Sequence, residues 1–371
     1  MPKRMIFSEH VNNVFSNMGT TYDEIKNLMF DLYRDELGEG VTRREAEETL
    51  RDMSRQVFGL DAKASKRELI RAKRDHGREY FDIIEEVVDF TVTTGLRDNE
   101  WFNVLVNYRN LAEGDDNLFV TEPNETILSI ARMGKRHHDS ILQRLPGNKT
   151  YQVETDLYGA AVGASIDRYV LGLEDWTKLI DSITRAFVIK IQDLIFAEVM
   201  GAAAKLPVQT GFVETGALDE TNRKKFNRVL QNVSVANNNA PVVIFGTMVG
   251  LQELENLIKV NWIADSQKED VATMGRLGNY GRYQLVEIPQ RFARNDVTQD
   301  IYDDNKLFFF ATGDDKLVDF VDVGETMITE VTERGIAQGR IDDIQSYEVQ
   351  REFGVGTRIG RYFGQWTITS D

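Results

Sequence analysis

The chain has 371 residues, 42% of them hydrophobic, enough for one elaborate domain or two to three modest ones around a real core. Lys and Arg total 44 against 60 Asp and Glu, a net charge of −16, which argues against free nucleic acid as a partner of the whole surface. With no cysteine, disulfides, thiolate metal ligands and a cysteine nucleophile are excluded. The start MPKRMIFSEHVNN lacks a signal-peptide core, and no run approaches the roughly 18 apolar residues of a membrane span, so a soluble protein made in the cytoplasm is expected. The N-x-S/T matches at Asn124, Asn148 and Asn232 are then chance occurrences.

The first 90 residues read as charged helices. Thr21–Glu24, Thr42–Glu45 and Ser65–Glu68 have capping-box spacing, and Gly38 and Gly59 are expected stops. Apolar stripes follow: Ile25, Leu28, Met29 and Leu32, then Ala46, Leu50, Met53 and Val57. The third helix starts basic, from Lys63 to Arg78, and turns apolar from Tyr80 to Phe90. Its basic half reads as a face that pairs with acidic protein surface, with contact to nucleic acid as the alternative. Three short charged helices bury little among themselves, so this region is expected to lie against something else.

Strand-like runs follow at Leu118–Val120, Ile127–Met133 and Tyr151–Val170. Between the last two lies a basic stretch, residues 134–149, with a turn signal at Pro146-Gly147. The whole reads as a long two-stranded excursion, and an isolated hairpin is marginal in water, so it should rest on another subunit. Leu173–Lys205 is the clearest helix, with Leu173, Trp176, Ile180, Ile183, Phe187, Ile191 and Leu194 three or four apart and Pro207 beyond its end. At 1.5 Å per residue it spans about 50 Å, the length of a spine.

Residues 211–325 read as α/β: a helix near 221–231, a buried strand at 241–246, a helix at 248–257 and a loop spaced by Gly275, Gly278 and Gly281. Strands at 283–288, 307–311 and 316–323 follow. The end, Ile341–Ile368, alternates as long strands, with Tyr347, Val349, Phe353 and Val355 on one face and Glu348, Gln350 and Glu352 on the other. Its glycines, 354, 356, 360 and 364, are expected to mark bends or bulges.

Reaction chemistry is sparse. His137-His138-Asp139 is the one close cluster of metal-ligand types along the sequence, but neighbours on a strand point apart, and no metal site is expected. Gly275-x-x-Gly278-x-x-Gly281 precedes a strand, not a helix, and is no phosphate loop. Phe245-Gly246-Thr247 leads from strand to helix, a weak anion signal without a lysine. The couples Asp303-Asp304, Asp314-Asp315 and Asp342-Asp343 read as solvated loops. The four histidines, His10, His76, His137 and His138, all lie outside the α/β segment, so a hydrolase triad has no base there. No catalytic residue and no cofactor are expected.

The order of elements resembles the major capsid proteins of tailed bacteriophages, of the Hong Kong 97-type fold. Residues 117–120, 126–132 and 150–158 look like the extended loop of that family, and 173–180 like the start of its spine helix. Residues 241–257 and 283–289 look like its axial domain, and 342–368, with Tyr347-Glu-Val-Gln-Arg351 and Gly360-Arg-Tyr-Phe-Gly364, like its terminal sheet. The resemblance covers about residue 117 to the end. It implies an α+β chain divided as N-terminal helical arm 1–93, extended hairpin region 94–172, spine 173–210, axial domain 211–325 and peripheral sheet with the C-terminus 326–371.

The implied function is structural, not enzymatic: self-assembly into pentamers and hexamers of an icosahedral shell around double-stranded DNA, bound without sequence specificity. An acidic lining would let packed DNA slide. Scaffold, portal and decoration proteins are further implied partners; the location would be the virion capsid, assembled in the host bacterial cytoplasm, with no membrane. In many relatives a protease removes an N-terminal segment, whereas this arm is expected to stay. An encapsulin-like compartment and a soluble α/β enzyme are the alternatives. Lys135, Arg136, His137, His138, Arg144 and Lys149 are expected to dock the hairpin on an acidic neighbour, and Gly275, Gly278 and Gly281 to make contacts around the capsomer axis.

Overall fold

The computed structural model describes residues 7–369 apart from 39, 62, 113, 116, 122–148, 164–175, 206–209, 258–270, 274, 294–295, 313–315, 338–339 and 359–361. The arm consists of α1 (Glu9–Met18), α2 (Tyr22–Arg34), α3 (Arg43–Phe58) and α4 (Lys66–Arg97). All three capping boxes form, the carboxylates of Glu24, Glu45 and Glu68 accepting the backbone N–H of Thr21, Thr42 and Ser65. Gly19 and Gly59 end α1 and α3 in the left-handed region, at φ 67 and 61. The stop expected at Gly38 is instead Asp35, at φ 59, whose N–H returns to the carbonyls of Asp31 and Leu32. Aspartate tolerates that conformation better than most side chains.

α4 is not short. It runs 32 residues, because the stripe Tyr80, Ile83, Ile84, Val87, Val88, Val92 and Leu96 continues and is buried throughout.

Then come α5 (Glu100–Leu105), β1 (Val106–Leu111), β2 (Leu118–Thr121), β3 (Lys149–Gln152), β4 (Asp156–Gly163) and the spine α6 (Trp176–Lys205). The 94–172 stretch thus contains a short helix as well as strands. Next are β5 (Val213–Gly216), α7 (Arg223–Ala236), β6 (Val242–Gly246), α8 (Met248–Gln252) with a 3-10 turn at Glu253–Leu257, β7 (Asn279–Tyr280) and β8 (Tyr283–Glu287). The chain closes with β9 (Phe292–Ala293), β10 (Asp296–Asp300), β11 (Lys306–Ala311), β12 (Val318–Ala337), β13 (Arg340–Thr357) and β14 (Phe363–Ile368).

Two sheets carry the architecture. The six-stranded one has the order β5-β14-β11-β6-β8-β7. Alternation along β11 sends Phe308 and Phe310 into the core shared with the arm and α6, and Leu307 and Phe309 into a second core under α7 and α8. Both faces are covered, which is why the strand reads as an unbroken apolar run.

The four-stranded sheet has the order β1-β12-β13-β4. One face lies under α4 and α6; the other meets the base of the β2–β3 ribbon, where Leu111, Phe119, Val153 and Val321 form a small core.

The C-terminal run does not stay in one sheet. β13 belongs to the four-stranded sheet and β14 to the six-stranded one, where Trp366 is fully buried against Phe226 and donates to Gly216 O at 2.9 Å. The expected bends at 354 and 356 are absent too: β13 runs straight through both. A Cβ on Gly354 would lie 2.2 Å from Glu154 O, and one on Gly356 2.9 Å from Val153 Cγ2, so these glycines make room for the chain that leads into the ribbon.

Candidate functional site

Helix α4 of the arm and the base of the β2–β3 ribbon lie on opposite faces of the four-stranded sheet, and a buried arginine holds each of them. On the helix face, Arg351 donates from Nε to Asp322 (3.0 Å) and from Nη1 to Asp89 of α4 (2.9 Å). Tyr108 of β1 donates to Asp322 at 2.9 Å. Burial works against the Arg351 charge, and Asp322 and Asp89 outweigh it, so its pKa is raised. Burial also raises the Asp89 carboxyl, although Arg351 opposes the shift. Two carboxylates thus share one guanidinium.

The same helix repairs a fault in the sheet. The β12–β13 register shifts between Val323 and Met327, beside Gly324 at φ 71. A bulge frees backbone N–H groups that need acceptors. Asp89 accepts from Thr326 N at 3.1 Å, and Glu85, one turn earlier, from Ile328 N at 2.6 Å. Burial, helped by the nearby charges of Asp82, Asp89 and Glu325, pushes Glu85 up to about 7 despite that hydrogen bond.

On the ribbon face, Arg358 donates from Nη2 to Asp319 at 3.0 Å, and Tyr151 of β3 donates to the same carboxylate. Asn107 of β1 adds a bond at 2.7 Å, and Arg109 reaches Leu118 O at 3.0 Å. β2 and β3 pair antiparallel, Leu118 to Gln152 and Thr121 to Lys149. Phe119 turns inward, while Leu118 and Val120 are exposed. The next strand, β4, pairs only with β13 among the described residues, and Leu157 on it is 63% exposed.

Of the basic residues expected to dock the ribbon, Lys135, Arg136, His137, His138 and Arg144 lie outside the described residues, as does the strand expected at 127–133. Lys149 opens β3 at the ribbon base. The three glycines lie along the β7–β8 edge of the six-stranded sheet, Gly281 at the start of β8 and Gly275 toward its far end. Gly281 (φ 60) turns β7 into β8, Gly278 O accepts from Leu285 N, and Gly275 (φ 74) accepts from Gln252 of α8 at 2.6 Å.

Thr247 caps α8 through Gly250 N, which uses the anion signal locally. Asp303 and Asp304 bind Asn305 N and Gln290. Asp342 and Asp343 are not in a loop: they pair along β12 with Gly335 and Arg334. Asp314 and Asp315 lie outside the described residues.

Sequence reasoning passed over Arg351, although it falls between Val349 and Phe353 on the apolar face of β13. A charge at an inward position of a strand is the signal that could have exposed it. His137-His138-Asp139, the close cluster along the sequence, lies outside the described residues, and a second group forms only in space. α1 and α4 bring His10, His76 and Glu79 together, with ligand atoms within 4.8 Å of one another.

The architecture is α+β: a helical arm, the base of a two-stranded ribbon, a long spine helix and two sheets, in the order expected from the sequence. The family described as "SPbeta prophage-derived putative capsid protein YonB" matches residues 24–367, and the chain belongs to it. It is a structural capsid protein. A comparison with curated protein sequences gives no match.

Among solved structures, the chain is similar to the bacteriophage PhiM1 mature capsid (11% identity, 74% of this chain and 88% of that one, TM-score 0.48). It is also similar to the capsid of Helicobacter pylori bacteriophage KHP30 (10%, 74% and 92%, 0.43) and to a virus-like particle from Pyrococcus furiosus (14%, 78% and 99%, 0.40). Membership rests on the family match, not on these scores.

Proposed function

We propose that copies of this major capsid protein close into pentamers and hexamers of an icosahedral shell around double-stranded DNA, in the virion of a phage assembled in the bacterial cytoplasm. One observation carries this reading: the ribbon and the neighbouring edge strand present Leu118, Val120 and Leu157 to solvent while their inner faces are bolted to the sheet. An exposed apolar ribbon beside a strand edge is a surface that a second copy completes by packing and strand addition. A standard interface buries about 1,600 Å². A subunit with such an extension reaches several neighbours and exceeds that area.

Within this reading, Lys135, Arg136, His137, His138, Arg144 and Lys149 dock the ribbon on an acidic neighbour. Exposed pairs contribute about 0–1 kcal/mol each, so their number supplies the strength. Gly275, Gly278 and Gly281 form the loop at the capsomer axis. Scaffold, portal and decoration proteins are the further partners, and the subunit performs no catalysis. No helix among the described residues is long and apolar enough to cross a membrane.

Electron microscopy of the purified chain tests the shell, and a monomer at high concentration overturns it. Nucleic acid inside the particles separates a genome container from an enzyme-packing compartment. The R136E/R144E double variant should fold but assemble poorly; normal particles from it refute the docking role.

A further inference from the structure

The cluster formed by His10, His76 and Glu79 has no part in the anchoring of ribbon or arm described above. His10 lies on α1, and His76 and Glu79 sit three apart on α4, on one face of that helix. The two imidazoles stack with centroids 4.2 Å apart and planes 22° off parallel.

In the neutral imidazoles, the hydrogen bonds select the tautomers. Val57 O can only accept, so His10 Nε2 carries the proton and donates at 2.9 Å, which leaves Nδ1 as the lone pair. The ionised Glu79 carboxylate likewise accepts from His76 Nδ1–H at 2.8 Å, which leaves Nε2 bare. Burial disfavours the Glu79 charge, but hydrogen bonds from Ser8 and His76 outweigh it and hold the pKa below the usual range.

We propose that His10, His76 and Glu79 bind a divalent transition metal, Zn²⁺ by preference, which staples α1 to α4. Two imidazole nitrogens and one carboxylate form a donor set suited to zinc, and too nitrogen-rich for Mg²⁺ or Ca²⁺. A histidine whose second nitrogen donates to a backbone carbonyl is oriented in the way metal-binding histidines usually are, and Val57 of α3 does this for His10.

Zinc–nitrogen distances near 2.0–2.1 Å place tetrahedral ligands about 3.3 Å apart, so the three groups close by roughly 1 Å or more from their present spacing. Rotation of the His76 ring about its soft terminal torsion supplies much of that movement. It exchanges the bond to Glu79 for shared ligation, with water or the Ser8 hydroxyl in the fourth position. α1 precedes residue 24, where the family match begins, so the ion would tie a segment outside that match to a helix inside it.

The test is titration of ZnCl2 into the full-length chain stripped with chelator, followed by metal analysis after gel filtration and by thermal unfolding. One zinc per chain and a raised Tm are expected, with no comparable shift from MgCl2. H10Q, H76Q and E79Q should each weaken zinc binding about 10-fold or more. The H137Q/H138Q variant should bind as the wild type does.

Circular dichroism shows whether each variant keeps its helices. E79Q, which changes charge with little change of shape, reads the site if a histidine variant does not fold. Absence of stoichiometric zinc overturns the proposal. So does zinc binding that survives H10Q/H76Q or disappears in H137Q/H138Q.

Discussion

The two sheets of this subunit are built on opposite principles. The six-stranded sheet is filled by Phe245, Phe308, Phe309, Phe310 and Trp366. The four-stranded sheet buries Asp319, Asp322, Arg351 and Arg358, two ion pairs on opposite faces of one strand, β12. Apolar packing is non-directional and fills space efficiently. A buried guanidinium with matched carboxylates fixes direction, because any other alignment leaves a charge unpaired. The four-stranded sheet uses the directional device once for the arm and once for the ribbon base.

The largest effect should come from Arg351→Ala, which strands Asp89 and Asp322 in the interior. A loss of about 3–5 kcal/mol in chemical denaturation is expected. Replacing the charges together (R351M with D322N and D89N, which keep acceptors for Tyr108 and Thr326) should recover part of that stability yet leave the arm less firmly oriented, read as faster proteolysis between α3 and α4. If Arg351→Ala matched a surface substitution, the contrast between the sheets would fail.

Next is Gly354→Ala, whose methyl group would meet Glu154 O at 2.2 Å. Overpacking of this kind costs about 1–3 kcal/mol, and here it also pushes the ribbon base off the sheet, so assembly should suffer more than folding. Gly38→Ala is the control, since its added Cβ meets nothing within 4 Å and its φ is not positive.

The smallest effect is a pH dependence. Glu85 titrates near 7 in the folded chain against an ordinary value of 4.5, chiefly through burial. Between those values the folded state holds a proton that the unfolded chain releases, so its contribution lowers stability as pH rises from about 4.5 to 7. Glu85→Gln keeps an acceptor for Ile328 N and removes the titration. The Tm difference between wild type and variant should therefore widen from pH 5 to pH 8 in favour of the variant, and a constant difference would refute the assignment.

Local chemistry made the arm and the spine readable. Thr21, Thr42 and Ser65 with their glutamates mark helix starts because both halves of a capping box lie within four residues. The stripe from Ile180 to Ile191 marks α6 because a helix face repeats every three or four positions. Arg351, Asp319 and Asp322 were not readable in the same way, since each partner lies on another strand or on α4. Gly354 looked like a bend for the same reason: the backbone it admits, at Glu154, is distant in sequence.

The amino-acid order alone determined the starts of α2, α3 and α4, the stop at Gly59, the body of the spine, and that the chain is acidic and without thiol chemistry, because these properties depend on neighbours within a turn or two. Only the tertiary structure decided that the last strands divide between two sheets, that α4 closes a bulge in β12, and that His10 meets His76. Each of those outcomes depends on groups far apart in the chain satisfying one another's charges and hydrogen bonds, and that pairing exists only once the layers have packed.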